Sequence, residues 1–150
     1  MHIEDLIKEE NVLLNFDADT KEEAIQHLAE ALFKHHKIDD LDGFLKDIYE
    51  RESITSTGIG FGIAIPHAKS SHVIIPSVIF ARSVEGIPFD AMDGKDAHLF
   101  FMIAMPEDGT NAHLKVLAML SRKLMHEDFR TSLRDVSSID EALQLLHTMN

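Results

Sequence analysis

Ser56-Thr57-Gly58-Ile59-Gly60-Phe61-Gly62-Ile63-Ala64-Ile65-Pro66-His67 is the stretch on which the reading of this chain turns. Glycines alternate through its first half, which cannot sit comfortably in a helix and reads as a loop that another molecule can approach closely. Ile63-Ala64-Ile65 then reads as a short buried strand, stopped by Pro66 and His67. A histidine at a strand end beside a flexible mouth is a natural position for reactive chemistry. It is equally a common position for a turn residue without a role.

Outward from this stretch the chain reads as a single domain, with no internal repeat, low-complexity tract or linker. Upstream, Asn11 to Phe16 is a short apolar run expected to form a strand. Thr20-Lys21-Glu22-Glu23 has capping-box spacing, and Ala24, Ile25, Leu28, Ala29, Leu32 and Phe33 recur at helical period to about His36. A second helix is expected after Asp40, with Leu41, Phe44, Leu45 and Ile48 inward, ending near Arg51 to Ser53. Downstream, Ser77 to Arg82 reads as a strand, and Gly86-Ile87-Pro88 and Asp93-Gly94 as turns. Ala97 to Met105 is a long apolar strand expected at the centre of a sheet. A helix should begin near Thr110 or Asn111, with Leu114, Leu117, Ala118 and Leu120 as its core stripe. A last helix follows the capping box Ser138-Ile139-Asp140-Glu141, with Ala142, Leu145 and Leu146 inward. This order predicts an α/β fold, a single-domain sandwich with a mixed β-sheet flanked by helices.

Composition narrows the function. The 150 residues carry 26 acidic and 14 basic side chains, a formal net charge of -12, which argues against a surface that coats nucleic acid. There is no cysteine, so disulfides, thiolate metal sites and a cysteine nucleophile are excluded. The N-terminus lacks a basic start followed by an apolar stretch, and the run Leu99 to Met105 is too short to span a bilayer, so an intracellular, cytoplasmic protein is expected. The acidity is uneven. Residues 1–50 are net -9 and residues 83–150 net -5, whereas residues 51–82 hold Glu52 against Arg51, Lys69 and Arg82, net +2. That window is either a chance fluctuation or a local site for an anion. Ten histidines invite a metal, but no HExxH or His-x-His spacing supports one, and no metal or other cofactor is expected. His35-His36 reads as a solvated helix end.

Thr57 to Ala68 closely resembles the phosphorylation-site signature of the enzyme IIA family of the bacterial sugar phosphotransferase system, fructose/mannitol type. Further blocks are similar to the same family: Phe80-Ala81-Arg82-Ser83, Glu85-Gly86-Ile87, Phe89 to Lys95, His98 to Ala104, Asn111-Ala112-His113-Leu114, Leu120-Ser121 and Leu124-Met125. The resemblance covers essentially the whole of residues 1–150, read as one type-2 IIA domain. It implies a phosphotransferase component that carries a phosphoryl group on histidine. His67 would take the group from phospho-HPr and pass it to an enzyme IIB. The resemblance also implies phosphorylation at Nε2, with Nδ1 held by a backbone acceptor. Arg51 matches the arginine near the phosphoryl group, and His113 the second active-site histidine. With no Cys and no further domain in this sequence, IIB and the membrane enzyme IIC would be separate proteins.

The chemistry suits those roles. A neutral imidazole is a nucleophile near neutral pH, and phosphoryl transfer needs in-line positioning and charge stabilisation above all. Arg51 offers a guanidinium matched to phosphate oxygens, or else only a cation for a helix C-terminus. His113, in an expected first helical turn, could donate to phosphoryl oxygens or simply be exposed. Thr57 and Ser56 could donate to the same oxygens or cap loop amides. Ile59 and Phe61 are expected as an apolar docking rim, the alternative for Phe61 being a core contact beneath the loop. Three functions compete: sugar transfer, most like the fructose branch; regulation, as in the nitrogen-related branch, through partners that sense phosphorylation; and a metal-binding module.

Overall fold

The structure, a computed structural model, describes residues 2–149. Its centre is strand β6 (Ala97–Pro106), buried along nearly its whole length. Successive side chains of a strand face opposite ways. Leu99, Phe101, Ile103 and Met105 therefore enter one hydrophobic layer and Phe100, Met102 and Ala104 the other. Helices cover both layers. Helices α2 (Lys21–Lys34) and α3 (Leu41–Ile54) pack on the second, and α4 (Ala112–Leu124), α5 (Glu127–Asp135) and α6 (Ile139–Leu146) on the first, with the short α1 (Ile3–Leu6) beside them. The expected sandwich of a mixed sheet between helices is what forms.

Sheet order is β1-β5-β6-β3-β2, from β1 (Val12–Leu13), β2 (Gly58–Gly60), β3 (Ile63–Ala64) and β5 (Ser77–Ile87), with β4 (His67–Ser70) also on β6. β5 runs antiparallel to β6, while β3 and β4 run parallel to it. Ile63 faces Leu99 and Ala64 faces Phe100; four residues on, His67 faces Ile103 and Ala68 faces Ala104. β3 and β4 thus keep one register and are a single strand interrupted at Pro66, which has no N–H to give the ladder. Its carbonyl still accepts from Ile103 N–H at 3.0 Å. His67 was expected where a strand stops; it opens one instead.

Both N-caps form: Thr20 Oγ1 accepts from Glu23 N–H and Ser138 Oγ from Glu141 N–H, each at 3.1 Å, contributing about 1 kcal/mol apiece. The reciprocal half of a capping box does not form, and the Glu141 carboxylate instead accepts from the N–H and hydroxyl of Ser137. Several expectations need correction. The buried stripe of α4 is Val116, Leu120 and Leu124. Leu114 lies about 200° round the helix from Val116 and is 49% exposed; Ala118 is also exposed. Phe33 stands outside the stripe of α2. The first strand is only Val12–Leu13, because Asn11 closes a 3-10 turn and turns its buried amide to the carbonyls of Leu6 and Val78. β5 continues through Gly86, which sits in a register slip at φ 92 rather than in a turn. There the ring of His98 occupies the space a Cβ would need. Helix α5 was not anticipated: it has only Phe129 and Leu133 to bury.

Candidate functional site

The glycine loop reaches its shape through three successive residues with positive φ: Gly60 (95°), Phe61 (58°) and Gly62 (76°). Phe61 is the costly member, since a side chain disfavours that region. Asp93 holds it there by accepting its N–H at 3.0 Å. Gly58 is required for a different reason: a Cβ would stand 2.6 Å from the carbonyl oxygen of Phe89. From this turn the chain runs through β3 and Pro66 to His67.

His67 is 8% exposed, at the start of β4 on the side of the sheet that α4 covers. Its Nδ1 lies 2.9 Å from the carbonyl oxygen of Ile65. A carbonyl only accepts, so Nδ1 carries the proton and the neutral ring keeps its lone pair on Nε2. Burial pushes the pKa of His67 down; the Ile65 bond opposes that, the Arg51 cation adds to it, and the Glu52 carboxylate opposes it.

His113 stands in the first turn of α4, its ring centroid 6.5 Å from that of His67 with the planes at 30°. Its Nδ1 is buried with no hydrogen-bond partner. Burial lowers its pKa, and the Lys69 ammonium and the nearby His67 lower it further. Lys69, two residues beyond His67 on the same face of β4, donates to the carbonyl of Thr110 at 3.1 Å, and so ties β4 to the segment that leads into α4. Arg51, in the last turn of α3, donates to the carbonyl of Thr55 at 3.0 Å. It thus closes its own helix end while its charge reaches His67.

The structure therefore groups His67, His113 and Arg51. Thr57 and Ser56 are otherwise engaged. Thr57 is buried and donates both its hydroxyl and, at 3.1 Å, its N–H to Glu52. Ser56 Oγ donates to the Phe89 carbonyl and accepts from Gly58 N–H at 3.0 Å, the capping alternative. Ile59 is partly exposed, and Phe61 is 72% exposed, with the Arg130 guanidinium 4.9 Å from its ring centre; a core contact beneath the loop is ruled out.

Sequence reasoning counted Glu52 and Lys69 only in the charge of the 51–82 window and gave neither a place in the site. Lys69 would have followed from placing β4 beyond Pro66, since alternate strand residues share a face. Glu52 had no such signal: a carboxylate in the last turn of a helix reads as solvated. Among the described residues, no three His, Cys, Asp or Glu side chains converge as metal ligands, and no helix is long and apolar enough to cross a membrane.

Residues 5–149 match the family described as "Phosphoenolpyruvate-dependent sugar phosphotransferase system, EIIA 2". The chain is 51% identical over 119 residues to the "PTS system fructose-specific EIIA component" of Haloferax volcanii, covering 79% of this chain and 77% of that protein. It superposes on the nitrogen regulatory protein IIA-Ntr of Neisseria meningitidis with a TM-score of 0.86 at 31% identity, covering 93% of this chain and 94% of that one. It also superposes on a complex of enzyme IIA mannitol with phosphorylated enzyme IIB mannitol from Escherichia coli, with a TM-score of 0.82 at 30% identity, covering 95% and 97%. A match over nearly all the chain, on a fold that brings two histidines and an arginine together, makes it a member of the EIIA 2 family of the phosphoenolpyruvate-dependent sugar phosphotransferase system, and so a phosphotransferase phosphocarrier component.

Proposed function

We propose that Nε2 of His67 takes a phosphoryl group from phospho-HPr and gives it to an enzyme IIB that serves, with membrane enzyme IIC, a fructose-type sugar. The observation that carries this reading is the Nδ1–Ile65 bond, which leaves the Nε2 lone pair free beside a second histidine and an arginine. In the first transfer the Nε2 lone pair forms the new N–P bond as the bond from phosphorus to the donor's imidazole nitrogen breaks, and that electron pair returns to the donor ring. In the second, the nucleophile of IIB forms its bond to phosphorus and the N–P pair returns to His67. No water enters either step.

Arg51 and His113 stabilise the transferring oxygens. An unpaired buried acceptor costs less than an unpaired buried N–H, so the proton of neutral His113 belongs on Nε2, from which it can be donated to the phosphoryl group. Thr57 serves the loop rather than the phosphate. Ile59 and Phe61 form the apolar rim for both partners, which must reach the same nitrogen in turn; small interfaces suit such fast release. The name of the Haloferax relative supports the fructose assignment, and that of the E. coli complex supports a IIB acceptor. We place the carrier in the cytoplasm.

The test is radiolabel transfer from phosphoenolpyruvate through enzyme I and HPr, with the labelled residue mapped under alkaline conditions, followed by chase onto fructose-type IIB. Label on His67 that IIB removes supports the reading; label elsewhere overturns the site. The superposition on IIA-Ntr favours a second reading, regulation by phosphorylation state. Label on His67 that no sugar-type IIB removes would select it.

A further inference from the structure

Glu52 is nine-tenths buried in the last turn of α3 and takes no part in the chemistry above. Its carboxylate is nonetheless heavily engaged. Lys21, the first residue of α2, reaches it at 2.8 Å, and Thr57 gives it both a hydroxyl and an N–H. Burying a carboxylate is costly unless charge and hydrogen bonds both compensate, and here both do. Lys21 is fixed in turn by Ser56 Oγ at 3.3 Å and by the face of Phe89, 4.9 Å from the ring centre.

The contacts continue towards the reactive ring. The carbonyl of Thr57 accepts from Ile65 N–H at 3.0 Å, and the carbonyl of Ile65 accepts from His67 Nδ1–H at 2.9 Å. Each of these two residues is gripped through both its N–H and its C=O. The N–H and the C=O of one residue belong to different peptide groups, so the path transmits position rather than conjugated polarisation. Pro66 stiffens its last joint with a fixed φ.

We propose that Glu52, paired with Lys21, is a positioning residue for phosphoryl transfer, holding the His67 ring through Thr57 and Ile65 so that Nε2 faces the incoming phosphorus. This role rests on His67 being the phosphoryl carrier. It also separates two neighbours: Arg51 acts on the phosphate, and Glu52 acts on the imidazole.

The charges facing His67 are Arg51 and Glu52 from α3 and the ring of His113 from α4. Removing the carboxylate charge leaves Arg51 unopposed, so the His67 pKa must fall. Glu52→Gln keeps the shape and one acceptor oxygen. We expect its kcat for label transfer from phospho-HPr to fall about tenfold with KM for HPr unchanged, the scale seen when a group that orients a reactive side chain is lost. Ring-nitrogen NMR on unphosphorylated protein should show His67 titrating at lower pH than in the wild type. If Glu52→Gln does not fold because Lys21 has lost its nearer, buried counter-charge and keeps only the exposed Asp90 at 3.7 Å, the paired change Lys21→Met with Glu52→Gln is read in its place, with the same two expectations. A folded variant with wild-type kcat and a wild-type His67 titration overturns the proposal. A wild-type protein that takes no label refutes the carrier reading instead, and the ring titration still decides whether Glu52 governs His67.

Discussion

His67 and His98 are oriented in the same way and surrounded in opposite ways. Each sits at the start of a strand, and each has Nδ1 2.9 Å from a backbone carbonyl, Ile65 for His67 and Ser83 for His98. Each therefore keeps its free lone pair on Nε2. Around His67 stand Arg51 and His113. His98 lies against the backbone of Gly86, in a cleft it shares with Asp93 and Asp96 as well as Lys95 and Arg134. Fixing a tautomer is thus an ordinary thing for a fold to do. What separates the proposed phosphoryl acceptor from His98 is the charge that would meet arriving oxygens: a cation and a neutral donor, with Glu52 already tied to Lys21, in one place, and carboxylates and cations in equal number in the other.

That contrast is easiest to break at its strongest point. His67→Ala should lose all label in the phosphoenolpyruvate, enzyme I and HPr assay, while His98→Ala keeps it; labelling of the first or loss of labelling in the second removes the basis of the comparison. Next in size is His113→Ala. Loss of one aimed donor costs about 100-fold, so chase of label from phosphorylated protein onto IIB should slow by that order, with circular dichroism showing an intact fold. An unchanged chase would take His113 out of the transfer.

A smaller effect is expected at the rim. Phe61→Ser removes an exposed aromatic ring that carries the Arg130 guanidinium on its face. A docking contact of that kind is worth upwards of about 1 kcal/mol, so KM for HPr should rise several-fold at constant kcat; a change in kcat alone would argue for a role in shaping the loop.

The smallest effect is in the pH response. Burial lowers the pKa of His67, so its neutral form persists to lower pH than in a free imidazole at about 6.5. The sign for stability follows. The unfolded imidazole binds the proton more readily, so the contribution of His67 is complete above about pH 6.5 and is lost as the pH falls towards the lower folded value. The melting temperature of wild type should therefore drop further between pH 6.5 and 5 than that of His67→Gln; equal drops would contradict a buried neutral ring.

Much of this architecture was legible beforehand where local and tertiary preferences agree. Thr20 and Ser138 announced their helices because each cap is a contact within four residues. Ala97 to Met105 announced a central strand because both its faces are apolar. Legibility failed where a distant partner decides the outcome. β4 has only His67-Ala68-Lys69-Ser70 and a preceding proline to recommend it, and it is a strand because β6 lies alongside. Gly86 looks like a turn until His98 is seen to fill the space beside it. At the site, His67 stood out by its place after the glycine loop and Pro66, while His113 and Arg51 were found through a resemblance to known sequences; Glu52, one position further along the same helix, was hidden because its partners Lys21 and Thr57 come from two other segments.

The interrupted strand has one more consequence. Its break at Pro66 falls between two stretches that hold the same alignment on β6, so the ladder pins the polypeptide on either side of the kink. The nitrogen proposed to carry the phosphoryl group is thereby mounted on a strand held by its neighbour on both sides of the break. A fixed mounting favours neither hand-off over the other, so the direction of traffic is left to the supply of charged donor and empty acceptor.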